Sequence, residues 1–292
     1  MRLLAGLALA ALASGCAYAG EIAVSPYPSR VGPPPPDLGA VEVAVGVPVG
    51  PPLAGWLLPA PARAPGVVLL HGVTDSRLQL VDRARFLHQA GYAVLLVDLP
   101  GHGESPGDRI GYGWRERHAA AAAVGYLKRR RPHTRVGVLG ISLGGAAAAL
   151  APGLNADALV LEMVYPTFVA AITGRIRRVT GALAPPLISA ALRQVEPRIG
   201  APPDSLRPIE ALRRLDVPTF VIGGSEDPYT PPDQTRALYD AARGPKQLWV
   251  VEGGRHEDLH GVDAAGYERR VLAFLGAHLR APAPRRAASD AL

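Results

Sequence analysis

The sequence predicts an α/β domain built on a mainly parallel β-sheet, and two observations support this prediction. From about residue 37 onward, short hydrophobic runs alternate with helical patterns, which is typical of repeated β–α units. Most of these runs are almost continuously hydrophobic, as expected for strands that are buried on both faces. The chain has 292 residues, of which 48% are hydrophobic and 19% charged. This composition suits one globular domain with a substantial core.

The elements follow in order along the chain. Two opening strands are expected at residues 41–49 and 53–58, as an antiparallel pair. Core strands are expected at residues 67–70, 93–97, 136–139, 158–164, 219–222 and 247–251. Helical patterns occupy residues 78–90, 114–130, 142–150, 232–242 and 263–279. The prediction is therefore an eight-stranded sheet that is flanked by helices.

The interval 166–215 interrupts this alternation. It is rich in arginine and proline, contains an apolar stretch at residues 182–192, and separates two core strands. We expect a helical lid here, because insertions of this kind shape substrate access. Its arginines either attract an anionic substrate or lipid head group, or lie on solvated faces of the lid helices. The arginines that we single out in this interval are Arg175, Arg177, Arg178, Arg193 and Arg198.

The N-terminus predicts a secretory signal peptide over residues 1–15. A positive start is followed by an apolar segment at residues 3–12, which is too short to span a bilayer, and then by small residues. Cys16 comes next and is the only cysteine, which excludes an intramolecular disulfide. Residues 16–36 then predict a proline-rich, semi-rigid tether. The domain is expected over residues 37–280, and residues 281–292 predict a disordered polar tail.

This N-terminal pattern resembles the lipobox of bacterial lipoproteins, in which cleavage before the cysteine is coupled to its lipidation. The resemblance implies a lipid at Cys16 and a membrane anchor in the bacterial cell envelope. Alanine at the third position before the cysteine is less usual there than leucine. The alternative is an ordinary leader with an incidental cysteine, which predicts a freely secreted protein.

The formal net charge is +6 and the isoelectric point is near 9.8. This charge comes from arginine rather than from lysine clusters, and the sequence contains no nucleic-acid-binding motif. We therefore expect no nucleic-acid partner, and the basic balance fits an anionic membrane surface at least as well.

Residues 140–144, with the sequence Gly-Ile-Ser-Leu-Gly, carry the strongest functional signal. They follow a β-branched run and open an alanine-rich stretch, which predicts a strand, a sharp turn and a helix. Such a turn holds its serine in a strained backbone with the hydroxyl exposed above the sheet. Ser142 is thus a candidate nucleophile. The backbone N–H of Leu143, at the helix N-terminus, is a candidate oxyanion donor.

A serine nucleophile needs a base, and the base needs an acid that orients it. Asp227 and His256 each follow a predicted core strand. The chain order is serine, then acid, then histidine, which is one of the known orders for a serine on a strand–turn–helix of this kind. Loops at the carboxyl edge of a parallel sheet lie close together, so all three residues can converge. Glu226 and Glu162 remain alternative positions for the acid.

At this point the chain resembles the α/β-hydrolase-fold serine hydrolases, particularly esterases and lysophospholipases, over about residues 37–280. The segments 69–73, with His71 and Gly72, and 98–105 resemble the His-Gly turn and the Asp-x-x-Gly-x-Gly-x-Ser loop of that family. The resemblance implies that the N–H of Val73 completes the oxyanion hole. It also implies hydrolysis of an ester or related acyl bond, in a small-molecule or lipid-like substrate, without metal or organic cofactor.

Three other interpretations compete with this one. Residues 256–260 match His-Glu-x-x-His, a zinc-protease pattern, but glycines precede His256 and follow His260 where a zinc helix should continue. The fold also hosts peptidases, and it can persist in a non-catalytic binding protein of the cell envelope. We expect His71 and His102 to hydrogen-bond the backbone of their loops.

Overall fold

We describe the chain from a computed structural model, which covers residue 21, residues 24–181 and residues 184–280. The predicted signal peptide, Cys16 and the predicted tail lie outside the described residues. Within the part that is described, no helix is long and apolar enough to cross a membrane.

The strands are β1 Tyr27–Pro28, β2 Val41–Val45, β3 Leu53–Leu58, β4 Gly66–Leu70, β5 Ala93–Val97, β6 His102–Gly103, β7 Val136–Ile141, β8 Ala158–Glu162, β9 Thr219–Gly224 and β10 Lys246–Val251. Eight of them form one sheet in the order β10-β9-β8-β7-β4-β5-β3-β2. The pairs β2–β3 and β3–β5 are antiparallel and the others are parallel. The prediction of a mainly parallel eight-stranded sheet is confirmed.

The helices are α1 Val81–Gln89, α2 Arg117–Arg130, α3 Leu143–Leu150, α4 Phe168–Thr180, α5 Ala184–Arg193, α6 Val195–Ile199, α7 Pro208–Leu212, α8 Pro232–Ala241, α9 Leu259–Val262 and α10 Ala264–Leu279. Single 3₁₀ turns at Pro36–Leu38, Arg77–Leu80 and Pro203–Ser205 connect other elements.

The core lies in two layers, one on each face of the sheet. Side chains alternate along a strand, so Val68 and Leu70 of β4 pack with α2 and α3, whereas Val67 and Leu69 pack with α1 and α10. All five residues of β4 are buried. This two-sided burial explains the continuous hydrophobic runs, and it leaves the loops at the carboxyl edge to carry polar side chains.

Several boundaries differ from those expected from the sequence. The strand expected at residues 41–49 ends at Val45, since the segment that follows is rich in glycine and proline. The helix expected from residue 114 begins at Arg117, because the buried Glu116 carboxylate accepts hydrogen bonds from the N–H groups of Gly111 and Gly113 and holds that segment as a turn.

Helices α4 to α7 lie between β8 and β9, in the interval where the sequence predicts a lid. A small separate apolar cluster joins α4 to α6 and includes Phe168, Val195, Ile199 and Leu206. Val24 is buried in the same cluster. The N-terminal segment therefore packs directly against the lid.

Further contacts fasten this N-terminal segment to the domain. The Ile110 N–H donates to the Val24 carbonyl at 2.8 Å, and β1 pairs with β6 in parallel. The Glu21 carboxylate forms ion pairs with Arg109 and Arg198, each at 2.7 Å. The packed part of the chain thus begins before residue 37, where we expected the domain to start.

Candidate active site

Ser142 lies on the sharp turn between β7 and α3. Its backbone is strained, with φ 48° and ψ −107°, a region that residues other than glycine rarely adopt. The Ser142 N–H donates to the Glu162 carbonyl at 2.8 Å, and its carbonyl accepts from the Ala146 N–H at 2.9 Å. The neighbouring strand and the first helical turn therefore hold this strained conformation in place.

The glycines that flank the turn are required by close packing. A Cβ atom at Gly144 would overlap the carbonyl oxygen of Leu70 on β4. A Cβ atom at Gly140 would lie 2.6 Å from the Cα atom of Gly145. The Gly-x-Ser-x-Gly pattern thus lets α3 approach the sheet closely enough to present the serine.

Asp227 lies in the loop that follows β9, and its carboxylate is fully used. One oxygen, Oδ1, accepts the N–H groups of Tyr229 and Thr230 at 2.8 and 2.9 Å. The other, Oδ2, accepts the Thr230 hydroxyl at 2.5 Å and lies 2.7 Å from His256 Nδ1. Burial acts to raise the pKa of Asp227, but the bonds from His256 and Thr230 outweigh it and lower the pKa below its usual value. Asp227 is therefore held as a carboxylate.

His256 connects Asp227 to Ser142. Its Nε2 atom lies 3.2 Å from the Ser142 hydroxyl oxygen, on the opposite side of the ring from the Asp227 contact. The side chain is 12% exposed, and the ring of Tyr229 packs edge-on against it at 5.3 Å between centroids. The structure thus brings Ser142, Asp227 and His256 together, and the imidazole lies in a position to accept the serine proton.

The two proposed oxyanion donors are the N–H groups of Leu143, which directly follows Ser142, and Val73, in the turn after β4. The turn that contains Val73 is fixed by a hydrogen bond from the Gly72 N–H to Gln79 Oε1 at 2.8 Å. Leu143 is the first residue of α3, so its N–H has no acceptor within the helix. Among the described residues, neither N–H donates a hydrogen bond to another protein group. Both N–H groups therefore remain candidates for an oxyanion site.

The alternative acids are used elsewhere. The Glu226 side chain is 55% exposed and pairs with Arg255. The Glu162 side chain is fully buried, pairs with Arg83 at 2.7 Å, and accepts the Tyr267 hydroxyl at 2.6 Å. Of the three candidate carboxylates, Asp227 alone contacts the imidazole of the candidate base.

The other histidines have structural partners. His71 lies 2.7 Å from the Gly72 carbonyl through Nδ1 and accepts the Leu99 N–H through Nε2, as expected for a loop histidine. Burial lowers its pKa to about 3, with a smaller contribution from neighbouring His102. The Nδ1 atom of His102 lies 3.1 Å from the Pro100 carbonyl. Both rings serve to fix their loops.

Residues 256–260 do not form the continuous helix that a His-Glu-x-x-His zinc site needs. Helix α9 begins at Leu259, after His256, and its N-cap is the Asp258 side chain. His260 pairs with Glu268 at 3.0 Å and stacks on Phe86. Within the described part of the chain, we find no group of three or more side chains that could hold a metal ion.

Sequence reasoning missed Thr230, which contacts both polar partners of the site. Its hydroxyl donates to Asp227 Oδ2 and lies 3.3 Å from His256 Nδ1. The sequence contained one signal for this contact. In an Asx turn, an aspartate carboxylate accepts the backbone N–H groups of the residues two or three positions later, and Tyr229 and Thr230 stand at these positions after Asp227. A hydroxyl at the third position then lies beside the carboxylate.

Comparison with known proteins agrees with this fold. Residues 67–270 match the model of the alpha/beta hydrolase family, which covers more than half of the chain. The chain therefore belongs to the α/β hydrolase family. It is 28% identical to the uncharacterised protein YqkD of Bacillus subtilis over 222 residues, covering 74% of this chain and 73% of that protein.

Solved structures share the same architecture. An esterase of Pyrococcus furiosus, Pf2001, superposes with a TM-score of 0.71 at 24% identity, covering 87% of this chain and 99% of the esterase. An acylaminoacyl peptidase of Pyrococcus horikoshii gives a TM-score of 0.60 at 16% identity, covering 84% of this chain and 42% of the peptidase. At these identities the similarity establishes the fold.

Proposed function

We propose that the chain is a serine hydrolase that cleaves a carboxylic ester or a related acyl bond in a small-molecule or lipid-like substrate. The observation that carries this proposal is the continuous contact from Asp227 through His256 to Ser142, with the serine on a strained turn. Membership of the α/β hydrolase family supports it.

In the proposed reaction, Ser142 Oγ attacks the substrate carbonyl while His256 Nε2 accepts the hydroxyl proton. Asp227 holds the ring so that Nε2 is the accepting atom, and its negative charge stabilises the imidazolium that forms. The Val73 and Leu143 N–H groups donate to the oxyanion of the tetrahedral intermediate. Collapse of this intermediate releases the alcohol, which takes the proton from Nε2.

The acyl group then remains on Ser142 as an ester. Water attacks this ester while His256 again accepts a proton, and a second tetrahedral intermediate collapses to the free acid and the regenerated serine. The same residues therefore catalyse both acylation and deacylation, with His256 accepting a proton and then returning it in each half of the cycle.

A fluorophosphonate probe tests the proposed nucleophile. We expect covalent labelling of the wild-type protein at Ser142, because only a serine that is activated by a base reacts readily with this probe. Ser142→Ala should abolish labelling and ester hydrolysis with the fold intact. The matched control, Ser189→Ala, removes an exposed lid serine and should change neither. Labelling that persists in Ser142→Ala would refute the assignment.

We further propose that Cys16 is lipidated and anchors the protein in the bacterial cell envelope. The leader and its single cysteine support this proposal. Cys16 precedes Val24, which is buried in the lid cluster, by so few residues that even an extended chain spans at most about 30 Å between them. An anchor at Cys16 would therefore hold the lid close to the membrane.

Fractionation of the expressing cells tests the anchor. Cys16→Ala should move the protein out of the membrane fraction, and the purified domain should hydrolyse a soluble ester at an unchanged rate. Mass spectrometry of the mature N-terminus provides the direct check. An unmodified cysteine, or cleavage at another position, would indicate a freely secreted enzyme.

A further inference from the structure

Two lid arginines contact the aromatic ring that packs against the candidate base. The guanidinium carbons of Arg175 and Arg178 lie 5.0 and 5.6 Å from the centroid of the Tyr229 ring. The same ring contacts His256 edge-on. Because the two arginines are three residues apart on α4, they share one face of that helix. The two guanidinium groups and the His256 imidazole therefore contact the same aromatic ring, that of Tyr229.

In the described part of the chain, neither of these charges is balanced by an acidic side chain. Among the described residues, no carboxylate lies within ion-pair distance of Arg175 or Arg178. The Arg175 guanidinium donates instead to a backbone carbonyl, that of Ala171, at 3.2 Å. Arg198, by contrast, pairs with Glu21 at 2.7 Å. The arginines of the lid therefore fall into different groups, and this pair is the one that contacts the site.

Arg175 also lies near two buried phenols. Burial raises the pKa of both Tyr112 and Tyr165, and the positive charge of Arg175 offsets part of the increase in each. The Tyr165 hydroxyl donates to the Tyr112 carbonyl at 2.8 Å. Glu116 influences Tyr112 and Tyr165 as well, but its carboxylate accepts backbone N–H groups and forms no ion pair with Arg175. The half-buried guanidinium thus retains an unbalanced charge in aromatic surroundings.

We propose that Arg175 and Arg178 bind an anionic group of the substrate, either a carboxylate or a phosphate, so that the enzyme prefers acyl compounds that carry such a group beside the scissile bond. This inference rests on the proposed esterase function and adds the substrate class. Both guanidinium groups contact one ring, and an oxyanion bound by both would accept several N–H donors and offset their like charges. Stacking on Tyr229 holds the planar groups in a fixed orientation for that contact.

Two matched pairs of esters test the preference and separate the possible sources of charge. The first pair is mono-4-nitrophenyl glutarate and its methyl ester, which place or remove a carboxylate on the acyl side. The second pair is 1-butyrylglycerol 3-phosphate and 1-butyrylglycerol, which place or remove a phosphate on the alcohol side. The measured quantity is the ratio of kcat/KM for the anionic ester to kcat/KM for the neutral ester within each pair.

We expect a ratio of at least about tenfold in one pair for the wild-type protein, since charge-assisted hydrogen bonds are among the stronger polar contacts. Arg175→Gln should lower this ratio by about tenfold. Arg175→Lys should recover part of it, because the charge remains but the planar fork is lost. The matched control is Arg177→Gln, which removes an exposed charge from the same helix; among the described residues, Arg177 makes no cation–π contact with Tyr229. It should leave the ratio unchanged.

Each contrary result has a definite meaning. Wild-type ratios near one in both pairs would overturn the proposal while leaving the esterase function intact. Equal losses in Arg175→Gln and Arg177→Gln would attribute the preference to the general positive field of the lid. An equal loss on neutral and anionic esters in Arg175→Gln would identify a structural contact between the lid and Tyr229.

A failure of the proposed esterase function can be distinguished from a failure of the proposed anion site. If the folded protein cleaves none of the four esters, titration of the wild type with glutarate and with glycerol 3-phosphate measures the anion site directly. Binding of either compound that is lost in Arg175→Gln supports the pair as an anion site, and absence of binding by both compounds overturns it.

Discussion

Replacing Asp227 by asparagine should disable the proposed base by reversing its tautomer. The structure dictates how the new amide would lie. The Tyr229 and Thr230 N–H groups both donate to the present Oδ1, so the amide oxygen of Asn must take that position. A flipped amide would direct its own N–H₂ group at two donors. The amide N–H₂ group of the variant is therefore forced to face His256.

This orientation has a direct chemical consequence. An N–H group that donates to His256 Nδ1 requires Nδ1 to carry the lone pair, which leaves the proton of the neutral ring on Nε2. Nε2 is the atom 3.2 Å from the Ser142 hydroxyl. In the variant it would hold a proton when it needs to accept one.

We therefore expect kcat/KM to fall by about 10³- to 10⁴-fold, which corresponds to about 4–5.5 kcal/mol of lost transition-state stabilisation. The assay is hydrolysis of 4-nitrophenyl butyrate at neutral pH, with circular dichroism to verify the fold. The change is isosteric and preserves the two backbone hydrogen bonds to Oδ1, so the loss should arise from chemistry rather than from unfolding.

Glu226→Gln is the matched control for this substitution. It converts an acid to its amide one residue upstream, on a side chain that is exposed and paired with Arg255. We expect a change of less than about twofold, since exposed ion pairs contribute little. A loss of less than tenfold in Asp227→Asn, or an equal loss in Glu226→Gln, would refute the assignment of the orienting acid.

Three further predictions concern stability. Because the pKa of His71 is lowered from 6.5 to about 3, the unfolded chain binds a proton that the folded chain does not, and the free energy of unfolding should fall by about 1.4 kcal/mol per pH unit as pH drops through that interval. His71→Gln should reduce this slope in urea titrations at pH 7 and pH 5, and an unchanged slope would contradict the prediction. Arg83→Met leaves the buried Glu162 carboxylate without its cation and should lower the free energy of unfolding in urea by about 3–5 kcal/mol. The double variant Arg83→Met/Glu162→Leu should recover much of this loss. Equal losses in the single and double variants would contradict the prediction. Gly144→Ala should cost about 1–3 kcal/mol or more through overlap with β4, whereas Gly125→Ala, in the middle of α2, should be neutral or stabilising. Equal melting temperatures for the two alanine variants would refute the packing argument.

The sheet was predictable because each core strand is buried on both faces. Runs such as residues 93–97 can lie in few other environments, so their position in the sheet follows from composition and spacing. Boundaries were less predictable, since they depend on single contacts. The start of α2 at Arg117 is set by hydrogen bonds to the Glu116 carboxylate, and nothing in the local hydrophobic pattern reports those bonds.

The candidate site was predictable to the extent that it follows chain order. Ser142, Asp227 and His256 each follow a strand of the parallel sheet, and such loops meet at one edge. The sequence favoured Asp227 and left Glu226 as an alternative, and in the structure the Asp227 carboxylate lies 2.7 Å from His256 Nδ1 whereas Glu226 pairs with Arg255. Thr230 was missed, although its position relative to Asp227 is that of an Asx turn.

The partners of the lid arginines could not be predicted from the sequence. From the sequence, the five lid arginines singled out above are equivalent: each is a positive charge on a helical segment of the lid. The structure separates them by partner, since Arg198 meets Glu21 whereas Arg175 and Arg178 meet Tyr229. Tyr229 is two residues after Asp227, so the loop that supplies the proposed acid also supplies the aromatic contact for the lid. The proposed orienting acid and the aromatic contact of the proposed anion site thus lie on one loop, two residues apart.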